Sequence, residues 1–115
     1  MSQARAKLIL VKDNLQIKEF MINSDITNIG RWDADSGAFP DIDLANDDVD
    51  SKISRKHAKI ISKNGQFFLE DYGSLNGSYI NRGKRLRAGD PEPIKDGDEL
   101  LFGKTFFKFA IVDNN

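Results

Sequence analysis

"HAKIISKNGQFFLED", residues 57 to 71, carries two short runs of β-branched and aromatic residues separated by Lys63-Asn64-Gly65. Runs of this length and composition read as strands, and Asn-Gly is a pair that accepts positive φ in a tight hairpin. The same alternation continues outward in both directions. "KLILV", "IKEFMI" and "ITNIG" precede it, "SYI", "DELLFG" and "TFFKFAIV" follow, and "KDN", "NRG" and "KDG" mark turns between them. No stretch of a dozen residues shows a helical stripe. In "TFFKFAIV", Phe107, Phe109 and Ile111 share one face of a strand and Phe106, Lys108 and Ala110 the other, as expected where one face is more deeply buried. The expected fold is therefore all-β, an antiparallel β-sandwich of many short strands.

At 115 residues the chain suits one domain, residues 1–115 with a core over roughly 6–112, burying about two thirds of the surface its unfolded form exposes. Lys and Arg number 17 against 18 Asp and Glu, so a field that gathers nucleic acid without sequence preference is not expected, and any anion site must be local. There is no cysteine, which removes disulfides, thiolate chemistry and cysteine-ligated zinc and suits a reducing compartment. The longest apolar run is a few residues and the start "MSQARAKLILVKD" lacks a secretory core segment, so the expectation is a soluble, cytoplasmic protein without membrane contact. The segment from Arg31 to Ile53 is long and polar, and a loop of that length in a compact domain is usually either functional or disordered. Its "DIDL" can hold a short strand.

Several chemistries compete for the polar residues. Ser54, His57 and Asp71 supply the residue types of a hydrolytic triad, but Ser54 stands on no G-x-S-x-G turn and its basic neighbours favour holding an anion over activating a hydroxyl. "DADSGAFPDID" begins like a calcium loop, yet Gly37 replaces the third acid, Ala38 the invariant glycine, and no glutamate closes it. His57 is the only histidine, so no zinc set can be completed. No metal or other cofactor is expected. Nucleic acid could meet Lys52, Arg55, Lys56 and "RGKRLR" at 82–87, but stacking would rest on Trp32, Phe39 and Tyr72 alone, since the other aromatics lie in strand-like runs.

Three strings remain: "IGR" ending a strand at Arg31, "SRKH" at 54–57, and "LEDYGSLNGSYIN" at 69–81. In order, within about fifty residues of an all-β pattern, they resemble the forkhead-associated (FHA) domain, and the resemblance covers nearly the whole chain. It implies a β-sandwich of about eleven strands with binding loops at one end. The implied function is a phosphothreonine-peptide-binding module of signalling that recruits threonine-phosphorylated proteins and catalyses nothing, expected as a monomeric module or as part of a longer chain. Arg31 and Ser54 then hold the phosphate, Asn76 grips the main chain of the bound peptide, and His57 braces the loops from inside. Gly30, Gly77 and Asn81 support the site.

The residues fit that chemistry in their own right. A phosphothreonine carries nearly two negative charges and three acceptor oxygens, so its receptor needs converging donors and a fixed positive charge. Arg31 provides a planar, permanently charged fork, Ser54 a hydroxyl, and Arg55 a backbone N–H and a second charge. Asn76 can donate and accept at once, and Gly77 takes the positive φ that aims it. The chain departs from the family where Leu75 replaces a threonine that reaches the phosphate, so that donor is either missing or replaced by Ser74 or a backbone N–H. Ser78 replaces a threonine on the following strand, and Arg82 a turn glycine. Seven aspartates between 33 and 50, close in sequence to Arg31, are expected to disfavour acidic residues in the ligand.

Overall fold

Residues 5–112 are described by a computed structural model. It contains ten strands: β1 (Ala6–Lys12), β2 (Leu15–Ile22), β3 (Ile26–Gly30), β4 (Ile42–Asp43), β5 (Lys56–Lys63), β6 (Gln66–Asp71), β7 (Ser78–Ile80), β8 (Glu92–Ile94), β9 (Glu99–Phe102) and β10 (Thr105–Ile111). They form two five-stranded sheets, ordered β2-β1-β10-β9-β7 and β4-β3-β5-β6-β8. Every pairing is antiparallel except β3 with the two-residue β4, the strand that "DIDL" supplies. The described residues thus form ten strands where about eleven were expected, with two isolated bridges outside them, Asp33 to Ala38 and Asp71 to Ala88.

The hairpin of residues 57–71 has Lys63 opposite Gln66, with Asn64 at φ 53 and Gly65 at φ 79. Two successive left-handed residues match the right-handed twist of the strands they join. Asp13 and Asn14 make the equivalent turn between β1 and β2. Alternation holds through β10, whose Phe107 and Phe109 are completely buried while Ile111 stands at the rim. The core fills the gap between the sheets with Leu8, Ile29, Ile60, Leu69, Leu100 and Phe102. Phe67 meets Phe109 edge-on at 5.2 Å, and Phe102 lies 5.5 Å from Phe107.

This topology gathers the informative strings. Since β3, β5 and β6 are consecutive antiparallel neighbours, the end of β3, the start of β5 and the end of β6 fall at one edge of the sandwich. The loops 31–41, 44–55 and 72–77 project there. The β9–β10 turn joins them, Gly103 N donating to the Gly77 carbonyl at 3.1 Å.

Candidate functional site

The site begins where β3 ends. A Cβ on Gly30 would lie 1.9 Å from the Arg55 carbonyl oxygen, so only glycine lets the entry to β5 cross this close. Arg31 follows and its N–H donates to that same carbonyl at 3.0 Å. Its side chain is half-buried and donates from Nε to the Ile53 carbonyl at 2.5 Å. Among the described residues its two terminal nitrogens have no hydrogen-bond or carboxylate partner.

Ser54 is the next residue after that anchoring carbonyl. Its Oγ accepts from Leu75 N at 3.1 Å, which leaves the hydroxyl proton free to donate. Ser54 N in turn donates to His57 Nδ1 at 2.9 Å. His57 Nε2 therefore carries the ring proton and donates to the Gly77 carbonyl at 2.8 Å. The imidazole is completely buried, edge-on to Phe102 at 5.7 Å, and desolvation holds its pKa below the usual histidine value against the raising effect of the Gly77 carbonyl. It is a neutral strut between two loops. With both ring nitrogens engaged by the backbone, the Ser54, His57, Asp71 triad is not assembled.

Asp71 has other work. One carboxylate oxygen accepts the Ser74 hydroxyl at 2.7 Å and the Ser78 hydroxyl at 2.6 Å. The other accepts Gly73 N and Ser74 N. Burial pushes its pKa up, but the hydrogen bonds from Ser78, Ser74 and Gly73 outweigh it and leave the group below the ordinary carboxylate value. This fixes the β6–β7 loop, and it alters the reading of Ser74. Expected as a substitute phosphate donor, Ser74 is buried, with its hydroxyl given to Asp71 and its oxygen accepting Gly77 N at 3.0 Å. It faces inward because Asp71 is three residues behind it in a tight turn.

Asn76 is half-buried and donates from Nδ2 to the Lys52 carbonyl at 3.0 Å, tying its loop to the segment that leads into Ser54. Its side-chain oxygen has no partner among the described residues and can accept from a ligand N–H. Gly77 behind it sits at φ 88. Arg31, Ser54, Arg55 and Asn76 are thus brought together, while His57 and Gly77 lie beneath them. Asn81 is elsewhere: it bonds Asp98 Oδ1 at 3.0 Å and Glu99 N at 2.8 Å, holding the turn in which Arg82 takes φ 58.

Arg85 is a residue that the sequence reading left in a basic run. Its Nη2 donates to the carbonyls of Ser74 at 2.6 Å and Leu75 at 3.1 Å, clamping the loop that carries Asn76. Most of the aspartates between 33 and 50 have partners of their own, which fix loop backbone or pair with a cation. Asp33 pairs with Arg55 at 2.6 Å, Asp41 accepts Asn28 N, and Asp43 accepts Trp32 N and Ala45 N. The buried Asp48 accepts Lys52 N and Ile53 N, both at 2.8 Å, and Asp47 pairs with Lys18. A calcium loop is not what they form: among the described residues no three acidic or histidine side chains converge as metal ligands.

The FHA domain family model matches residues 27–103, a span that runs from β3 through Gly103 and contains all three loops. The chain belongs to the FHA domain family. Within that family it is 38% identical over 85 residues to the glycogen accumulation regulator GarA of Mycobacterium tuberculosis, covering 74% of this chain and 44% of GarA. It is 41% identical over 78 residues to the oxoglutarate dehydrogenase inhibitor of Corynebacterium diphtheriae, covering 68% of this chain and 49% of the inhibitor. The chain spans about half the length of these curated relatives. The structure of Mycobacterium tuberculosis EmbR in complex with a low-affinity phosphopeptide superposes with a TM-score of 0.75 at 25% identity, covering 98% of this chain and 26% of EmbR. No helix among the described residues of this FHA domain is long and apolar enough to cross a membrane.

Proposed function

We propose that this FHA domain binds proteins phosphorylated on threonine, with Arg31 and Ser54 holding the phosphate, Arg55 N–H and charge assisting, and Asn76 gripping the peptide main chain. One observation carries the reading: a half-buried guanidinium, anchored through Nε on the carbonyl of Ile53, the residue before Ser54, keeps two terminal nitrogens without a partner among the described residues, and the Ser54 hydroxyl proton is free to donate. A permanently charged fork left open in a loop cluster is suited to a dianion with three acceptor oxygens. EmbR, a relative in fold, is bound to a phosphopeptide in its structure, and GarA is a regulator, which supports a recruiting module of signalling over an enzyme. A cytoplasmic setting, where kinases act and a chain without cysteine loses nothing, fits this role.

Isothermal titration with a phosphothreonine peptide tests it. Removing one partner of a desolvated charge pair costs roughly 2 to 5 kcal/mol, so Arg31→Ala is expected to weaken binding about 30-fold or more with an unchanged thermal melt. Retained affinity in the folded variant would refute the phosphate site.

A further inference from the structure

Two arginines stand at the proposed phosphate site, and their side chains are held in different ways. Arg31 is anchored through Nε on a neutral group, the Ile53 carbonyl, so its charge stays whole. Arg55, whose own carbonyl accepts Arg31 N at 3.0 Å, has its Nε 2.6 Å from a carboxylate oxygen of Asp33. The second positive charge of the site is therefore already answered by an anion of the same chain.

That carboxylate is fixed in place by its loop. The Asp33 backbone pairs in both directions with Ala38, each hydrogen bond 2.9 Å long. Its side chain caps the short 3-10 turn Ala34–Ser36 by accepting Asp35 N at 3.3 Å, and its second oxygen accepts the Ser36 hydroxyl at 3.0 Å. Asp41, Asp43 and Asp48 also accept backbone N–H groups, but among the described residues Asp33 alone of these four meets a cation. The two partners differ in exposure, 24% for the Asp33 side chain and 57% for that of Arg55.

An ion pair with so exposed an arginine is worth only a few-fold in an equilibrium constant, so it can be exchanged. A phosphothreonine brings nearly twice the charge of a carboxylate and three acceptor oxygens, enough to draw the guanidinium away from Asp33. Until it does, the carboxylate both holds Arg55 and repels the incoming dianion.

We infer that Asp33 is an internal competitor of the ligand: it occupies Arg55 in the free domain, the phosphate displaces it on binding, and this exchange keeps the affinity below what Arg31, Ser54 and Arg55 would give unopposed. The inference rests on the phosphothreonine reading above.

A phosphothreonine peptide selected from a degenerate library, titrated against the wild-type chain, Arg31→Ala, Asp33→Asn, Asp33→Ser, Arg55→Ala and Asp33→Asn combined with Arg55→Ala, tests both. Asparagine and serine remain capping residues, so the turn stays closed, which thermal melts check. Each Asp33 variant is expected to bind about threefold tighter than wild type or better at low salt, with the gain shrinking as salt rises. Where Arg55 is alanine, the gain should largely vanish. In the unmodified chain the NMR signal of Arg55 Nε–H should move when the peptide is added, a readout that needs no Asp33 variant. The inference is overturned by equal or weaker binding in the folded Asp33 variants, by a gain of the same size without Arg55, or by an Arg55 Nε–H signal that the peptide leaves in place. Undiminished binding by Arg31→Ala would instead overturn the phosphothreonine reading on which it rests.

Discussion

Arg85 reaches back across the β6–β7 loop and donates from Nη2 to the Ser74 carbonyl, 2.6 Å away. The same nitrogen also meets the Leu75 carbonyl, so one cation holds the two peptide groups that precede Asn76. Hydrogen bonds from a charged donor are worth roughly 1.5 to 3 kcal/mol, and those of Arg85 go to the backbone of the loop that carries Asn76. Arg85→Ala is therefore expected to weaken phosphopeptide binding about tenfold while lowering the melting temperature by only a few degrees. Arg85→Lys should recover part of the affinity, since an ammonium keeps the charge and the donors but ends a shorter stem that lacks the planar guanidinium. Titration calorimetry beside a thermal melt separates the two effects, and an unaltered affinity for Arg85→Ala would contradict the clamp.

Asp48 and Asp50 lie two residues apart and should behave differently. Asp48 is buried and accepts two backbone N–H groups immediately before Ser54, whereas Asp50 is exposed. Asp48→Ala leaves those donors unpaired, at roughly 1 to 3 kcal/mol, and frees the segment that positions Ser54. It should lower both the urea midpoint and the phosphopeptide affinity, with Asp50→Ala within about 0.5 kcal/mol of wild type. Equal urea midpoints for the two variants would show that the Asp48 hydrogen bonds do not hold the loop.

His57 ties stability to pH in the mildly acidic range. Burial lowers its folded pKa below the unfolded value of 6.5, so above that value both states carry a neutral ring and its contribution is fully present. As pH falls through 6.5, the unfolded chain takes up a proton that the folded chain refuses, and stability drops by up to about 1.4 kcal/mol per pH unit. Asp71 acts lower down: its folded pKa lies below the ordinary carboxylate value, so its contribution is kept above that value and lost only as pH falls through the folded pKa. Urea midpoints measured from pH 7.5 to 5.5 should decline in the wild type and less in His57→Gln. A wild type with a flat profile would argue against the buried neutral strut.

The ligand ranking follows from charge and shape. Glutamate brings one charge and two oxygens in a plane, so it cannot engage Arg31, Ser54 and a backbone donor together as a phosphate does. A phosphoserine peptide lacks one methyl, worth about 0.8 kcal/mol or roughly fourfold if that group is buried. Competition among otherwise identical peptides should rank phosphothreonine first, phosphoserine second and glutamate far below. Equal affinity for all three would mean that the site reads charge alone.

Much of this architecture is legible in the sequence because its determinants are local. Asn64-Gly65 fixes a turn within two residues, and the β10 alternation fixes which phenylalanines face inward. The strings around Arg31, Ser54 and Asn76 fall on successive antiparallel strands, so their order along the chain becomes proximity in space. Ser74 admits two readings in the sequence because its hydroxyl can donate to a ligand phosphate or to the Asp71 carboxylate; "DYGS", an acid followed at the third residue by serine, is the signature of the inward turn. The part of Arg85 has no such mark, since reaching a carbonyl eleven residues back obeys no strand period. Likewise the pairing of Asp43 with Trp32 N spans eleven residues, and a run of acids looks the same whether it faces solvent or caps a backbone.

The pairing of β1 with β10 has a consequence for how the module can be carried. Ala6 lies opposite Ile111 and Val112 N donates to the Arg5 carbonyl at 2.9 Å, while the other end of the same ladder, Val11 with Phe106, adjoins the β9–β10 turn beside Gly77. Five residues of strand, about 17 Å, therefore separate Arg5 and Val112 from the loop end. The two lie side by side at the pole away from the loops, an arrangement suited to a module inserted between other segments of a longer chain.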